Sequence, residues 1–206
     1  MHRFHLAPEN WESATLDESE SHHCLNVLRL EIGDRATVFD GQGREASALI
    51  DSKNGSRVVL KISAPAKTPP PPCAITLAQA LPKGAAMDGI VRKATEIGAA
   101  RIVPLETERT QVHLEGERSE GKVEKWRTAA LEAAKQCGNP WLPEITPVQT
   151  AAAFMESARG YDLKLHLKEL FSKDDTESAR RIQSDYRLTF SELLMIKLIA
   201  LVAAFC

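Results

Sequence analysis

Apolar residues recur along this chain with two different periods, and the change of period divides it. Ala74 to Leu81 is a short apolar run closed by Pro82, and beyond Lys83-Gly84 the residues Met87, Ile90, Val91, Ala94 and Ile97 fall at i, i+3, i+4, i+7 and i+10. The run reads as a strand and the stripe as an amphipathic helix ended by Gly98. Arg101 to Leu105 follows as a second strand, so the stretch predicts a right-handed βαβ unit and a parallel α/β core. A second amphipathic helix is expected over Ser119–Cys137, with Val123, Trp126, Ala130, Ala133, Ala134 and Cys137 on its apolar side and Gly138-Asn139-Pro140 as its stop. A short strand over 145–148, a helix capped by Thr150 and reaching Ala158, and a strand over Tyr161–Leu167 complete this half.

The first third of the chain follows the shorter period. Arg35–Asp40 and Glu45–Asp51 flank Gly41-Gln42-Gly43, whose glycines suit the positive φ angles of a tight hairpin, and Arg57–Ser63 is a third strand. Between Asp17 and Leu30 a short helix is expected to carry Leu25 and Leu28 inward, with Gly33-Asp34 turning the chain into the sheet. Pro65 and Pro69 to Pro72 exclude helix and central strand and favour a stiff spacer. The expected division is therefore a β-rich domain at 1–67, a proline-rich linker at 68–73, an α/β domain at 74–167 and an atypical tail at 168–206.

Composition narrows the function classes. The 206 residues are 43% hydrophobic and 26% charged with a net charge of -2, ordinary for a folded soluble protein and without the basic excess of a non-specific nucleic-acid binder. Any RNA contact must then use a local patch. Four scattered cysteines and no signal peptide lead us to expect free thiols and a cytoplasmic location. Phosphate loop, nucleophile elbow and dinucleotide glycine fingerprint are all missing from the sequence. His22-His23-Cys24 is too compact for a tetrahedral metal site, so no metal is expected. Cys137 is expected as a buried, unreactive small residue. The apolar run Leu193–Cys206 contains Lys197 and is shorter than the roughly 20 residues that span a bilayer, so no membrane partner is expected.

His22 to Leu30, Gly33-Asp34, Phe39 to Gly43, Lys83, Arg92 to Gly98, Glu108-Arg109 and Glu132 to Gly138 with Pro143 together resemble, in order and spacing, one family: the bacterial small-subunit ribosomal RNA uridine-N3 methyltransferases, a branch of the SPOUT methyltransferases. The resemblance covers roughly residues 2 to 165. It implies an N-terminal PUA-like β-barrel that grips RNA, followed by a SPOUT-type parallel α/β domain. It also implies S-adenosylmethionine as methyl donor, small-subunit ribosomal RNA as partner, and a homodimer. Family members hold the donor in a C-terminal trefoil knot built from a Gly-Pro-Glu-Gly-Gly loop and a Leu-Arg-x-Glu-Thr-Ala segment. Neither occurs here, so the knot is expected to be missing, no cofactor-binding residue is recognisable, and residues 168–206 read as a truncated or out-of-frame end.

Methylating N3 of a uridine requires an unpaired base, removal of the N3 proton and stabilisation of the charge that develops on the ring. The resemblance points to Lys93, Glu96 and Arg109 as catalytic candidates. It points to Arg3, His23, Arg29, Lys83, Arg92 and Gln136 as RNA contacts, Arg29 on a phosphate. The spacing alone also allows a plainer account, in which Asp88–Arg92 and Arg92–Glu96 are i,i+4 pairs on a solvated helix face. Glu132 and Gln136, one turn apart, could equally hold a dimer contact. Two functions are carried forward: the methyltransferase, and a non-catalytic RNA-binding or dimerisation fragment.

Overall fold

The tight turn expected at Gly41-Gln42-Gly43 is present in the computed structural model, which describes residues 2–107 and 116–161. Asp40 organises it: one carboxylate oxygen accepts the backbone N–H of Gln42 at 2.7 Å and of Arg44 at 3.0 Å, and the other accepts Nε of Arg44 at 3.1 Å. Gly41 and Gly43 take φ of 75° and 90°, which L-residues rarely adopt. The turn joins β2 (Arg35–Phe39) to β3 (Arg44–Asn54), and β3 pairs in turn with β4 (Arg57–Lys67), both antiparallel. An opening strand that the hydrophobic pattern does not reveal, β1 (His2–His5), lies parallel to β2. Helix α1 (Glu18–His22) starts at Asp17, whose side chain accepts the Glu20 N–H, and runs into a π-helical turn over His23–Val27. Leu25 and Leu28 pack against the core as expected.

Even-numbered positions of these strands build that core: Phe4, Ala36, Val38, Ala46, Ala48, Ile50, Val58 and Leu60, joined by Leu6, Trp11, Leu16 and Cys24. The expected barrel is not closed among the described residues. The strand order is β1-β2-β3-β4, and Ala14–Leu16 pairs along only the first half of β4. The second half of β4 carries Ala64 at φ 49° and Pro65 beside a register shift, which interrupts the ladder a further strand would need. Pro65 therefore lies inside an edge strand and not in the spacer, where its missing N–H costs no sheet hydrogen bond.

The chain divides into two units, one of Met1–Ala74 with Ala130–Pro143 and one of Ile75–Ala129 with Glu144–Cys206. In the second, β5 (Thr76–Ala80), α2 (Ala86–Glu96) and β6 (Arg101–Glu106) form the expected βαβ unit with parallel strands. Gly98 at φ 84° closes α2 through bonds from its own N–H to the Thr95 carbonyl and from the Ala99 N–H to the Ala94 carbonyl. Helix α3 (Gly116–Cys137) begins three residues before its expected start and ends where expected. Cys137, expected to be buried, is exposed, because as the last helical residue it lies past the buried stripe that ends at Ala134.

Two short parallel strands, β7 (Glu144–Ile145) and β8 (Gln149–Thr150), replace the single expected strand and both pair with β6. Pro104 explains the interruption. The carbonyls of Ala100 and Ile102 point toward β7, so Pro104, two residues on, turns its missing N–H to the same side. It falls where β7 has ended and β8 has not begun. Thr150 caps α4 (Ala151–Ser157) through the Ala153 N–H, as expected. The strand expected over Tyr161–Leu167 and the tail at 168–206 lie outside the described residues, apart from Tyr161.

A Cβ on Gly43 would strike the Trp141 ring and come within 2.6 Å of the Thr68 carbonyl, whereas Gly55, also at positive φ, has nothing within 4 Å. Gly43→Ala is expected to cost about 2–4 kcal/mol and Gly55→Ala only about 1 kcal/mol in urea denaturation. Equal costs would show that the approach of Trp141 does not constrain the turn.

Candidate functional site

Open α/β sheets bind ligands beyond the carboxyl ends of their strands, because the connections there are loops carried on a rigid scaffold. In the second unit β5 reaches that edge at Ala80, β6 at Glu106 and β8 at Thr150. The β5 connection, Leu81-Pro82-Lys83-Gly84-Ala85, leads directly into α2, with Gly84 at φ 68° and no side-chain cap on the helix N-terminus. Lys83 is exposed there. Among the described residues, it is the sequence-predicted group that the fold carries to this edge. Arg109 lies outside the described residues.

Lys93 and Glu96 occupy the last turn of α2, which a βαβ crossover brings back toward the start of β6. They are bonded to each other, Nζ to carboxylate, at 2.7 Å on the exposed helix surface. Arg92 is exposed and has no ion-pair partner among the described residues; the Asp88 that spacing assigned to it is bonded to Lys125 on α3 instead. Helix-to-helix packing supplied a partner that i,i+4 spacing could not reveal.

The remaining predicted RNA contacts belong to the first unit. Arg3 is mostly buried: its Nη1 bonds the Glu45 carboxylate at 3.0 Å, its guanidinium stands 4.8 Å from the Phe39 ring centroid, and its buried Nε and Nη2 have no partner among the described residues. His23 packs edge-on against Phe4 with centroids 6.3 Å apart. Cys24 is fully buried, which pushes its thiol pKa up, while His22 is exposed, so these neighbours do not converge. No group of three metal-binding side chains occurs among the described residues. Arg29 is exposed at φ 57°, a conformation that a non-glycine residue holds only at a cost. Gln136 is exposed near the end of α3.

Sequence reasoning missed Lys135. Its ammonium bonds Glu20 at 2.7 Å and Glu132 at 2.8 Å, and the Lys135 and Glu20 side chains are only 7% and 5% exposed. Glu20 also accepts the His5 N–H at 3.1 Å. Burial pulls the Lys135 pKa down, but the hydrogen bonds and charges of Glu132 and Glu20 outweigh it and leave the value above that of an ordinary lysine. The partners are 115 positions apart, and no periodicity connects them. Glu132 is thus engaged with Lys135.

A surface cleft of about 530 Å³ lies along the first turns of α3 and Pro147, but its walls carry Glu117, Glu120 and Glu124, with Arg127 bonded to Glu124 and to the Ile145 carbonyl. This carboxylate-lined cleft is not assigned to a ligand. None of the helices among the described residues is long and apolar enough to cross a membrane.

Comparison with known proteins gives a consistent picture. Residues 69–195 match the RNA methyltransferase domain family and residues 16–63 the RNA methyltransferase PUA domain. The first match extends past residue 167 into the stretch separated above as a tail. The chain is 37% identical over 162 residues to ribosomal RNA small subunit methyltransferase E of Synechocystis, covering 77% of this chain and 52% of that protein. It is 29% identical to the Bacillus subtilis protein of that name, covering 78% and 63%. The chain thus spans between half and two thirds of these relatives. Among solved structures, the Neisseria gonorrhoeae ribosomal RNA small subunit methyltransferase E bound to S-adenosyl methionine is 30% identical with a TM-score of 0.68, covering 78% of this chain and 66% of that one. A Legionella pneumophila protein, 24% identical with a TM-score of 0.72 over 99% of this chain, shares the fold.

Two outcomes follow from the charge pairs. Lys135→Met strands a buried carboxylate and is expected to cost about 3–5 kcal/mol at neutral pH. Because the folded Lys135 pKa is raised, its contribution is complete below the ordinary value of 10.5 and is lost as pH rises through the higher folded value. Denaturation of wild type and variant should therefore converge only in strong alkali; convergence below pH 10 would contradict the assignment. For the exposed Lys93–Glu96 pair, a double-mutant cycle on stability should give no more than about 0.5 kcal/mol of coupling.

Proposed function

The chain belongs to the RNA methyltransferase domain family, and we propose that it transfers a methyl group to N3 of a uridine in small-subunit ribosomal RNA, with S-adenosylmethionine as donor. The observation that carries this is the pairing, in one chain, of a PUA match at 16–63 with a methyltransferase match at 69–195. The names of the Synechocystis and Bacillus subtilis relatives supply the substrate, and the Neisseria relative supplies the donor.

When bound, the donor supplies an electrophilic methyl group. The work left to the protein is to hold an unpaired uridine with its Watson–Crick edge free, and to stabilise the ring as the N3 proton leaves. Lys83, expected from sequence as an RNA contact and exposed in the connection after β5, is proposed to serve the second task as well. Arg109 is kept as a catalytic candidate on the family resemblance. Lys93 and Glu96 satisfy one another's charge and are assigned no proton transfer. RNA contacts are assigned to Arg3, His23, Arg29, Arg92 and Gln136.

The same reading takes the first sheet as part of a PUA-like barrel at 1–67, joined by the spacer at 68–73 to the methyltransferase domain, in a cytoplasmic homodimer.

The test is mass spectrometry of nucleosides from unmethylated small-subunit ribosomal RNA incubated with the chain and S-adenosylmethionine, alongside calorimetry of donor binding. N3-methyluridine is the expected product, and Lys83→Ala is expected to lower its rate about a hundred-fold. A folded chain that binds RNA but neither binds the donor nor forms this nucleoside would be the non-catalytic fragment instead.

A further inference from the structure

The sheet of the first unit has a second face, made by the odd-numbered positions and, past the register shift in β4, by Ala66. Register places its side chains in rows across the strands: His5, Phe39, Glu45 and Ala66; then Arg3, Thr37, Ser47 and Ser63; then Arg35, Leu49 and Lys61. The first row is largely covered. Phe39 is fully buried outside the core cluster, and Glu45 is held by Arg3. Beyond it the cover ends: Ser47, Ser63, Arg35 and Lys61 are exposed, and Leu49 is 39% exposed between the two cations.

Charge on this face departs from that of the whole molecule. The chain carries a net charge of -2, yet these rows hold Arg3, Arg35 and Lys61 against the single carboxylate of Glu45, which Arg3 already neutralises. Arg35 and Lys61 take part in no salt bridge among the described residues. They stand two strand spacings apart, about 10 Å, on a rigid sheet. The adjoining hydroxyl row of Thr37, Ser47 and Ser63 is suited to phosphate oxygens and ribose 2′-hydroxyls. Phosphate binding without sequence reading needs fixed cations with small hydrogen-bonding neighbours; the exposed Asp51 lies one step further along β3.

We propose that this outer sheet face binds the sugar–phosphate backbone of single-stranded RNA, with Arg35 and Lys61 as phosphate contacts and Leu49 as an apolar seat between them. The proposal rests on the RNA-modifying reading above and deepens it: neither cation stands among the residues to which the family resemblance points. An acidic polypeptide would meet the same charges. RNA is favoured because the PUA match at 16–63 encloses Arg35, Leu49 and Lys61 together.

The experiment measures binding of a fluorescently labelled single-stranded RNA of small-subunit ribosomal sequence to the full chain across a salt series. The double variant Arg35→Ala/Lys61→Ala is expected to weaken binding roughly ten-fold and to reduce the slope of log K against log salt by about 1.4, or 0.7 for each lost phosphate contact. Lys122→Ala, an exposed cation on α3, should change neither. Matching thermal melts establish that the variant is folded, and Arg35→Gln/Lys61→Gln, which keeps more of the side-chain bulk, should reproduce the slope change. An unchanged slope overturns the proposal, as does a wild-type chain that binds no RNA, or one from which polyglutamate displaces RNA as effectively as unlabelled RNA does. An unchanged slope with methyl transfer intact removes only this surface; a reduced slope with no methyl transfer removes the enzyme reading and leaves the surface.

Discussion

The first unit depends on a close approach that only glycine permits. Gly41 and Gly43 let the β2–β3 turn lie against Leu142 and Trp141, and hydrogen bonds from the Leu142 N–H to the Gly41 carbonyl and from the Gly43 N–H to the Pro140 carbonyl fasten the contact. Asp40 holds the turn in the shape that makes this possible. A segment a hundred residues downstream thereby becomes part of the N-terminal unit. Lys135, caught between Glu20 and Glu132, adds a second fastening, electrostatic where the first is steric. A buried pair of this kind adds less to stability than it takes away when one partner is lost.

The second unit is governed by what a parallel sheet requires. Its strands cannot be joined by hairpins, so α2 must return along the sheet, and each strand delivers its connection to the same edge. Pro104 in the central strand is tolerated because the sheet opens beside it between β7 and β8. Lys83 belongs to the edge where ligands gather, whereas Lys93 and Glu96 belong to the returning end of the helix. Residues thirteen positions or fewer apart in sequence are thus separated in place by the direction of one helix.

Electrostatics connects the two levels. Most charges with evident candidates for partners find them: Arg3 with Glu45, Arg44 with Asp40, Lys125 with Asp88, Lys93 with Glu96. Pairing removes these groups from the field that an RNA would meet. What remains to attract phosphate is a small set of exposed cations on rigid elements, consistent with a chain of slightly acidic net charge having a polyanionic partner.

From the sequence alone, the periodic features were legible: the apolar stripe of α2, its glycine end, the Gly-Gln-Gly turn, the Thr150 cap and the α/β class. Each depends on neighbours a few positions apart, so local sterics and helix or strand geometry suffice to specify them. The motif order, read against a known family, pointed to RNA methylation for the same reason, since it survives as spacing. Tertiary structure decided the rest. It added β1, whose four residues carry too little pattern to be recognised, placed Pro65 in an edge strand, split one strand into two around Pro104, and exposed Cys137 past the end of a buried stripe. It also gave Asp88 and Glu20 lysine partners on α3, and joined Arg35, Leu49 and Lys61 into one row across three strands. These outcomes depend on which distant segments meet, and that is settled by packing and strand register, which no window along the chain contains.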